Sequence, residues 1–195
     1  MKIPSTASPC SSGRIRRASA AVAALVLALV VSTGPLAAQT NPPADAAATA
    51  PAVVYLVRHA ERAEDGTSDP PISEEGQARA RLVSRMLSDA GITRAHSTDY
   101  RRTRATAAPL AEAIAATVEH YDGSDLDGLA ARLRAAGGRH LVVGHGNTTP
   151  ALVTVLGGDP GAPVDESEYD RLYILTLTGD GASTVLLRFG VPAPR

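Results

Sequence analysis

The chain is almost without thiols and large aromatics: in 195 residues there is one cysteine, no tryptophan and one phenylalanine. Cys10 precedes the apolar stretch near the N-terminus, so a chain cleaved after that stretch carries no sulfhydryl. Disulfide bridges, thiolate nucleophiles and cysteine-ligated metals are then excluded. The shortage of aromatics leaves a core of Leu, Val, Ile and Ala. No apolar run is long enough to span a bilayer: Ala18 to Val31 is 14 residues, against the ~20 that a spanning helix requires. There is no internal repeat, and no grouping of histidines and carboxylates has metal-ligand spacing. Neither a metal nor a cofactor is expected.

The same apolar run has another reading. Arg14, Arg16 and Arg17 form a basic region before it, and Gly34-Pro35-Leu36-Ala37-Ala38 supplies a break and small residues after it. That is the layout of an export signal spanning residues 1–38, cleaved after Ala38, the alternative being an uncleaved N-terminal anchor. The protein is therefore expected in the periplasm or outside the cell. Cleavage removes Lys2, Arg14, Arg16 and Arg17 and no acid, leaving 15 basic side chains against 20 acidic ones, a net charge of −5. Such a balance argues against nucleic acid as a partner, and against a membrane surface once the signal is gone.

Residues 39–52 are rich in Ala, Pro and Thr and read as a flexible leader. Residues 53–195 make one domain of ordinary size. Val53 to Val57 is an unbroken β-prone run, as in a strand buried on both faces of a parallel sheet, and it stops at Arg58-His59. Leu141-Val142-Val143 is a second such run, ending in Gly144-His145-Gly146-Asn147. Between them, apolar residues recur at helical spacing from Leu82 to Ala90, after the N-cap Ser73, and from Leu126 to Leu133, after the N-cap Asp125. Strands are expected at Thr93–His96 and Thr117–Tyr121, and an Arg- and Ala-rich helix from about Tyr100, with Pro109 as a kink or the start of a second piece. A short helix is expected over Ala151–Leu156. Arg171–Thr178 and Thr184–Phe189 are joined too closely for a crossover and predict an antiparallel hairpin. The result is an α/β fold: a three-layer α/β/α sandwich with a mostly parallel sheet and an antiparallel edge hairpin.

Ligands of open α/β sheets bind beyond the carboxyl ends of the strands. Two histidines at two such ends, each near an arginine, suit a phosphoryl group. Arg58-His59-Ala60-Glu61 comes first. Ser97-Thr98-Asp99-Tyr100-Arg101-Arg102-Thr103-Arg104-Ala105-Thr106-Ala107 follows, and then Gly144-His145. These blocks, in this order, resemble the histidine phosphatase superfamily, the phosphoglycerate mutase-like proteins. The family's first block is Arg-His-Gly-Glu, with Ala60 here in the place of glycine. Asp69-Pro70-Pro71-Ile72-Ser73 is similar to the family's segment leading into the first helix.

The resemblance implies a metal-independent phosphatase in which His59 takes up the phosphoryl group of a phosphorylated small molecule. Arg58 and Arg102 would bind phosphate oxygens through their planar forks, and His145 would add a donor across the pocket. Glu61 and the backbone of Gly146 would complete the binding residues. Family members draw their general acid from a Glu after the third strand, or from an Asp after the second histidine. Gly146 closes the second option. Asp122, at the end of the third strand, is the expected acid and Glu61 the reserve. His96, His120 and His140 match no motif and are read as structural. Two alternatives stand beside a phosphomonoesterase: a phosphohistidine-protein phosphatase, whose N–P leaving group demands less acid catalysis, and a non-catalytic phosphate- or phosphosugar-binding protein of the same fold.

Overall fold

Val54, Leu56 and Val57 are almost fully buried, and their strand lies at the centre of a six-stranded sheet. The computed structural model describes residues 51–179 and 181–191. The expected export signal, and the leader up to residue 50, lie outside the described residues. In chain order the elements are β1 (Ala52–Arg58), α1 (Glu74–Leu87), β2 (Arg94–Ser97), α2 (Arg101–Ala113) and β3 (Val118–His120). They continue with α3 (Leu126–Ala136), β4 (Gly138–Gly144), α4 (Thr148–Val155), β5 (Arg171–Thr178) and β6 (Gly181–Arg188). The sheet order is β3-β2-β4-β1-β5-β6. Strands β3, β2, β4 and β1 run parallel, while β5 and β6 are antiparallel. This is the mostly parallel sandwich with an antiparallel edge that the sequence predicts.

Two apolar layers hold the helices to the sheet. Leu129 and Leu133 of α3 and Leu152, Val153 and Leu156 of the α4 region pack with Val54, Leu56, Val142 and Tyr173 on one face. Val83 and Leu87 of α1 and Ala107 and Leu110 of α2 pack with Val57, Leu141 and Val143 on the other. Strands β1, β4 and β5 feed both clusters because successive side chains point to opposite faces.

Local chemistry sets most boundaries. The Ser73 hydroxyl accepts from the Gly76 N–H at 3.1 Å, and the Asp125 carboxylate from the Gly128 N–H at 2.9 Å, each capping its helix. Gly137 closes α3 with φ of 57°, a backbone that side chains rarely adopt. Pro109 does not end α2: the helix runs through it to Ala113, and the Ser84 hydroxyl donates to the Pro109 carbonyl at 3.0 Å. Packing of α2 against α1 and the sheet overrides the local cost of an interior proline, about 3 kcal/mol. The fourth helix starts at Thr148 rather than Ala151, with Pro150 in its first turn. Strand β6 begins at Gly181, since Gly181 pairs with Thr178 across the turn.

The parallel register sets the position of the strand ends. Arg58 pairs with Gly144, Ser97 with Val143, and Ser97 with His120. The carboxyl ends of all four parallel strands therefore lie level, at one edge of the sheet.

Candidate active site

Beyond that edge is a cavity of about 1040 Å³ lined by Arg58, His59, Arg102 and His145, with Thr98, Tyr100, His120, Asp122, Gly146 and Tyr169 among its other walls. His59 continues β1, and its backbone N–H donates to the Gly144 carbonyl at 2.8 Å. The next N–H, of Ala60, donates to the Thr106 hydroxyl at 2.9 Å, and that hydroxyl donates to the Arg102 carbonyl at 2.7 Å. Helix α2 thus fixes the turn that carries His59. The Ala60 methyl, fully buried, packs with Ile72 and Ala80, which accounts for alanine in the place of glycine.

His59 is 4% exposed, and its Nδ1 lies 2.8 Å from the Ala60 carbonyl oxygen. A carbonyl only accepts, so Nδ1 carries the proton and Nε2 keeps its lone pair. Burial, together with the charges of Arg58 and Arg102, pushes this imidazole down to about 3. It is neutral, with one nitrogen locked and the other available as a nucleophile.

His145 stands against it, ring centroids 5.3 Å apart and nearly edge to face. Its Nε2 lies 3.0 Å from the Thr98 hydroxyl. Thr103 donates its one hydroxyl proton to the carbonyl of Thr98 or Tyr100, so Thr98 gives its own proton to Thr103 at 2.9 Å. Thr98 therefore accepts from Nε2–H, and Nδ1 of His145 turns its lone pair to Arg102 Nη2 at 3.5 Å. Desolvation and the Arg102 and Arg58 charges lower His145 to about 4. In that arrangement the second histidine is neutral, donates through Nε2–H to Thr98 and presents Nδ1 to Arg102. A phosphate dianion arriving between it and Arg102 would reverse that balance and favour proton uptake at Nδ1.

The two arginines are held differently. Arg102 lies with its Cζ 4.4 Å from the Tyr100 ring centre and its Nη1 3.4 Å from Asp69. Asp69 also accepts from the Arg101 N–H at 3.1 Å, capping α2 from the loop after β1. Arg58 Nη1 donates to the carbonyls of Asp165, Glu166 and Glu168 at 3.1, 2.8 and 2.9 Å, and its Cζ sits 4.3 Å over the Tyr169 ring. Arg58 thus ties the segment 165–169 to the site besides supplying charge. Ion pairs of Arg171 and Arg188 with Glu168, each 2.7 Å, brace that segment from behind. Gly144 is a glycine because a Cβ there would come within 2.8 Å of the hydroxyls of Thr148 and Thr149.

The carboxylates are less well placed for acid work. Glu61 does not line the cavity: Arg79 grips it at 2.6–3.0 Å, and it faces a separate hollow with Arg62, Ser73 and Glu75. Its expected roles as phosphate ligand and reserve acid are corrected on that ground, since α1 claims its carboxylate. Asp122 does line the cavity, but its Oδ1 accepts from Ser124 N–H and hydroxyl at 2.8 and 2.7 Å, which holds the group below the ordinary carboxylate range. It is an ionised, exposed carboxylate. Gly146 lines the cavity, and a Cβ there would lie 3.4 Å from Arg58 Cζ.

Sequence reasoning passed over Thr98, Tyr100, Tyr169 and His120. Thr98 and Tyr100 occupy variable places inside the second block, and Tyr169 has no signal, because only the register of β5 brings it to the site. Among the described residues no group of three or more His, Cys, Asp or Glu side chains is placed to hold a metal ion.

The chain's similarities agree with this geometry. Residues 54–124 match the model of the histidine phosphatase superfamily (branch 1). A 71-residue stretch is 44% identical to Probable phosphoglycerate mutase GpmB of Serratia proteamaculans, covering 33% of each protein. The chain thus spans about a third of the length of the curated relatives it matches. Among solved structures, the protein histidine phosphatase SixA complexed with tungstate aligns over 70% of this chain and 96% of that one, with a TM-score of 0.59 and 20% identity. A mycobacterial glucosyl-3-phosphoglycerate phosphatase aligns over 71% and 98%, with a TM-score of 0.58 and 15% identity. The sandwich is the fold of these phosphatases, and the matched segment carries two of the three blocks. Over residues 54–124 the chain is similar to the histidine phosphatase superfamily.

Proposed function

We propose that this protein is an exported, metal-independent phosphatase that moves a phosphoryl group from a small phosphomonoester to His59 Nε2 and then to water. The observation that carries this reading is the state of His59: Nδ1 locked to the Ala60 carbonyl and a neutral ring beside two guanidinium groups and a second imidazole. A neutral imidazole attacks phosphorus without first losing a proton, and the arginines neutralise charge gathering on the equatorial oxygens. They take the electrostatic role a metal would otherwise fill. Export rests on Arg14 to Ala38 and sets the protein apart from glycolytic mutases, whose substrates are cytoplasmic. Rapid alkaline quench of the protein with labelled substrate tests the core of the proposal. An intermediate that is acid-labile and base-stable is expected, and it is absent from His59→Ala. A wild-type protein that turns over substrate with no such intermediate would refute the reading.

A second reading is favoured by the state of the carboxylates. With Glu61 held by Arg79 and Asp122 kept ionised, a substrate whose leaving group needs little protonation is served best. Phosphohistidine on a protein is such a substrate, and SixA, whose fold this chain shares, is by name a protein histidine phosphatase. A twentyfold or greater preference in kcat/KM for phosphohistidine over alkyl phosphates would put this reading first.

A further inference from the structure

We propose that His120, at the carboxyl end of β3, is the proton donor to the leaving group and the base for the attacking water; this rests on His59 as the nucleophile. An alkyl ester leaving as alkoxide needs a proton, and a positioned acid contributes about 10²–10⁴-fold. The acid must stand on the wall of the cavity and hold a proton to give. Three of the four carboxylates on that wall are engaged by neighbouring groups. Asp122 and Asp165 each have Oδ1 engaged by the N–H and hydroxyl of the serine two residues on, and both are held below the ordinary carboxylate range. Asp99 is paired with Arg104. Glu166 lies in the field of Arg58, whose Nη1 is bonded to its carbonyl at 2.8 Å. A carboxylate held below its ordinary range stays ionised and cannot donate, which sets Asp122 and Asp165 aside. Tyr121 is no better: its hydroxyl donates to the Val143 carbonyl at 3.2 Å, and burial pushes it up to about 12.

His120 is free of these ties. It lines the cavity, is exposed, and its ring forms no hydrogen bond among the described residues. Its position is set by the sheet: it pairs with Ser97, and the following N–H, of Tyr121, donates to the Ser97 carbonyl at 3.0 Å. Ser97-Thr98 leads directly to the hydroxyl that holds His145. Asp122 is near enough for the two charges to interact, so an imidazolium here has a fixed anion beside it. Histidine is also the side chain suited to give and retake a proton near neutral pH.

Atoms and electrons balance in both halves of the reaction. His59 Nε2 forms a bond to phosphorus as the bond to the leaving oxygen breaks. That oxygen keeps the electron pair and takes the proton from the His120 imidazolium. In the second half, water attacks the phosphohistidine and gives its proton to the neutral His120 ring, and the N–P electron pair returns to Nε2. Asp122 acts in this scheme as a positioning residue.

The test compares glycerol phosphate with p-nitrophenyl phosphate, whose leaving oxygen needs little protonation, in His120→Ala, His120→Gln, Asp122→Asn and Glu166→Gln. For both His120 variants we expect kcat/KM to fall about 10³-fold on glycerol phosphate and about tenfold on p-nitrophenyl phosphate, with the alkyl activity of His120→Ala partly restored by added imidazole. Asp122→Asn should show the same selectivity at smaller size. Equal losses on both substrates overturn the proposal, as does a selective loss in Glu166→Gln with His120→Ala unselective. Failure to trap a wild-type phosphoenzyme with p-nitrophenyl phosphate is a separate result: it removes the His59 reading itself, and the role of His120 with it.

Discussion

Mild acid should weaken this protein well before its carboxylates titrate, and the histidines say by how much. His59 and His96 are 4% and 6% exposed. Burial is the main reason that each is driven down, to about 3 and about 4 respectively. His96 Nε2 lies 3.0 Å from Nδ1 of His140, and His140 Nε2 lies 2.8 Å from the Gly137 carbonyl. The carbonyl requires the proton on His140 Nε2, so His140 Nδ1 accepts from His96 and the pair is neutral. A depressed histidine costs nothing above its unfolded pKa of ~6.5 and costs stability as pH falls below it, because the unfolded chain binds a proton that the native ring refuses. The loss saturates only when pH reaches the folded value, near 3 or 4. At ~1.36 kcal/mol per unit, each group costs about 2 kcal/mol at pH 5, and the two together about 4 kcal/mol. Native domains hold only about 5–15 kcal/mol, so a substantial part of the margin is at stake. Carboxylates contribute little there, since their ordinary values lie near 4. Urea titration at pH 7.5 and pH 5.0 should show a clearly lower midpoint at pH 5.0 at unchanged slope, and His96→Gln should remove about 2 kcal/mol of that pH dependence. A midpoint equal at both values would refute the assignment of neutral, buried rings.

The same contacts give three further expectations. Thr98→Val removes the acceptor for His145 Nε2–H; with about 1–3 kcal/mol for a stranded buried donor, turnover should drop about 10- to 100-fold while circular dichroism stays native. Glu61→Gln should cost about 2 kcal/mol of stability in urea by stranding Arg79, whose side chain is 11% exposed, yet leave the alkyl-to-aryl activity ratio where it was, because Glu61 lies off the cavity. Chelator treatment should leave phosphatase activity intact; loss of activity with recovery on adding zinc or magnesium would defeat the metal-independent reading.

Much of this site was legible in the chain itself. Buried-strand runs that end in Arg58-His59 and Gly144-His145, with Arg102 in the block between, carry two of the histidines and two of the arginines that line the cavity. Periodicity and caps placed the helices, because Ser73, Asp125 and Gly137 act on backbone groups within a few residues of themselves. What the chain could not show was which polar groups were already committed. Glu61 follows His59 by two residues, and only the packing of α1 hands its carboxylate to Arg79, 18 positions on. Asp122 and His120 are near neighbours in sequence, and both line the cavity. Yet the turn that engages Asp122 and the strand pairing that leaves the His120 ring unbonded are set by different backbone partners. Arg58 meets Tyr169, far along the chain, because β5 runs antiparallel to β1 and returns its leading segment to the mouth of the site. Residue type and spacing determined which side chains are present at the strand ends. Protonation state and availability depend on desolvation and on hydrogen bonds between segments distant in sequence, and those exist only once the sheet and its two helical layers have closed.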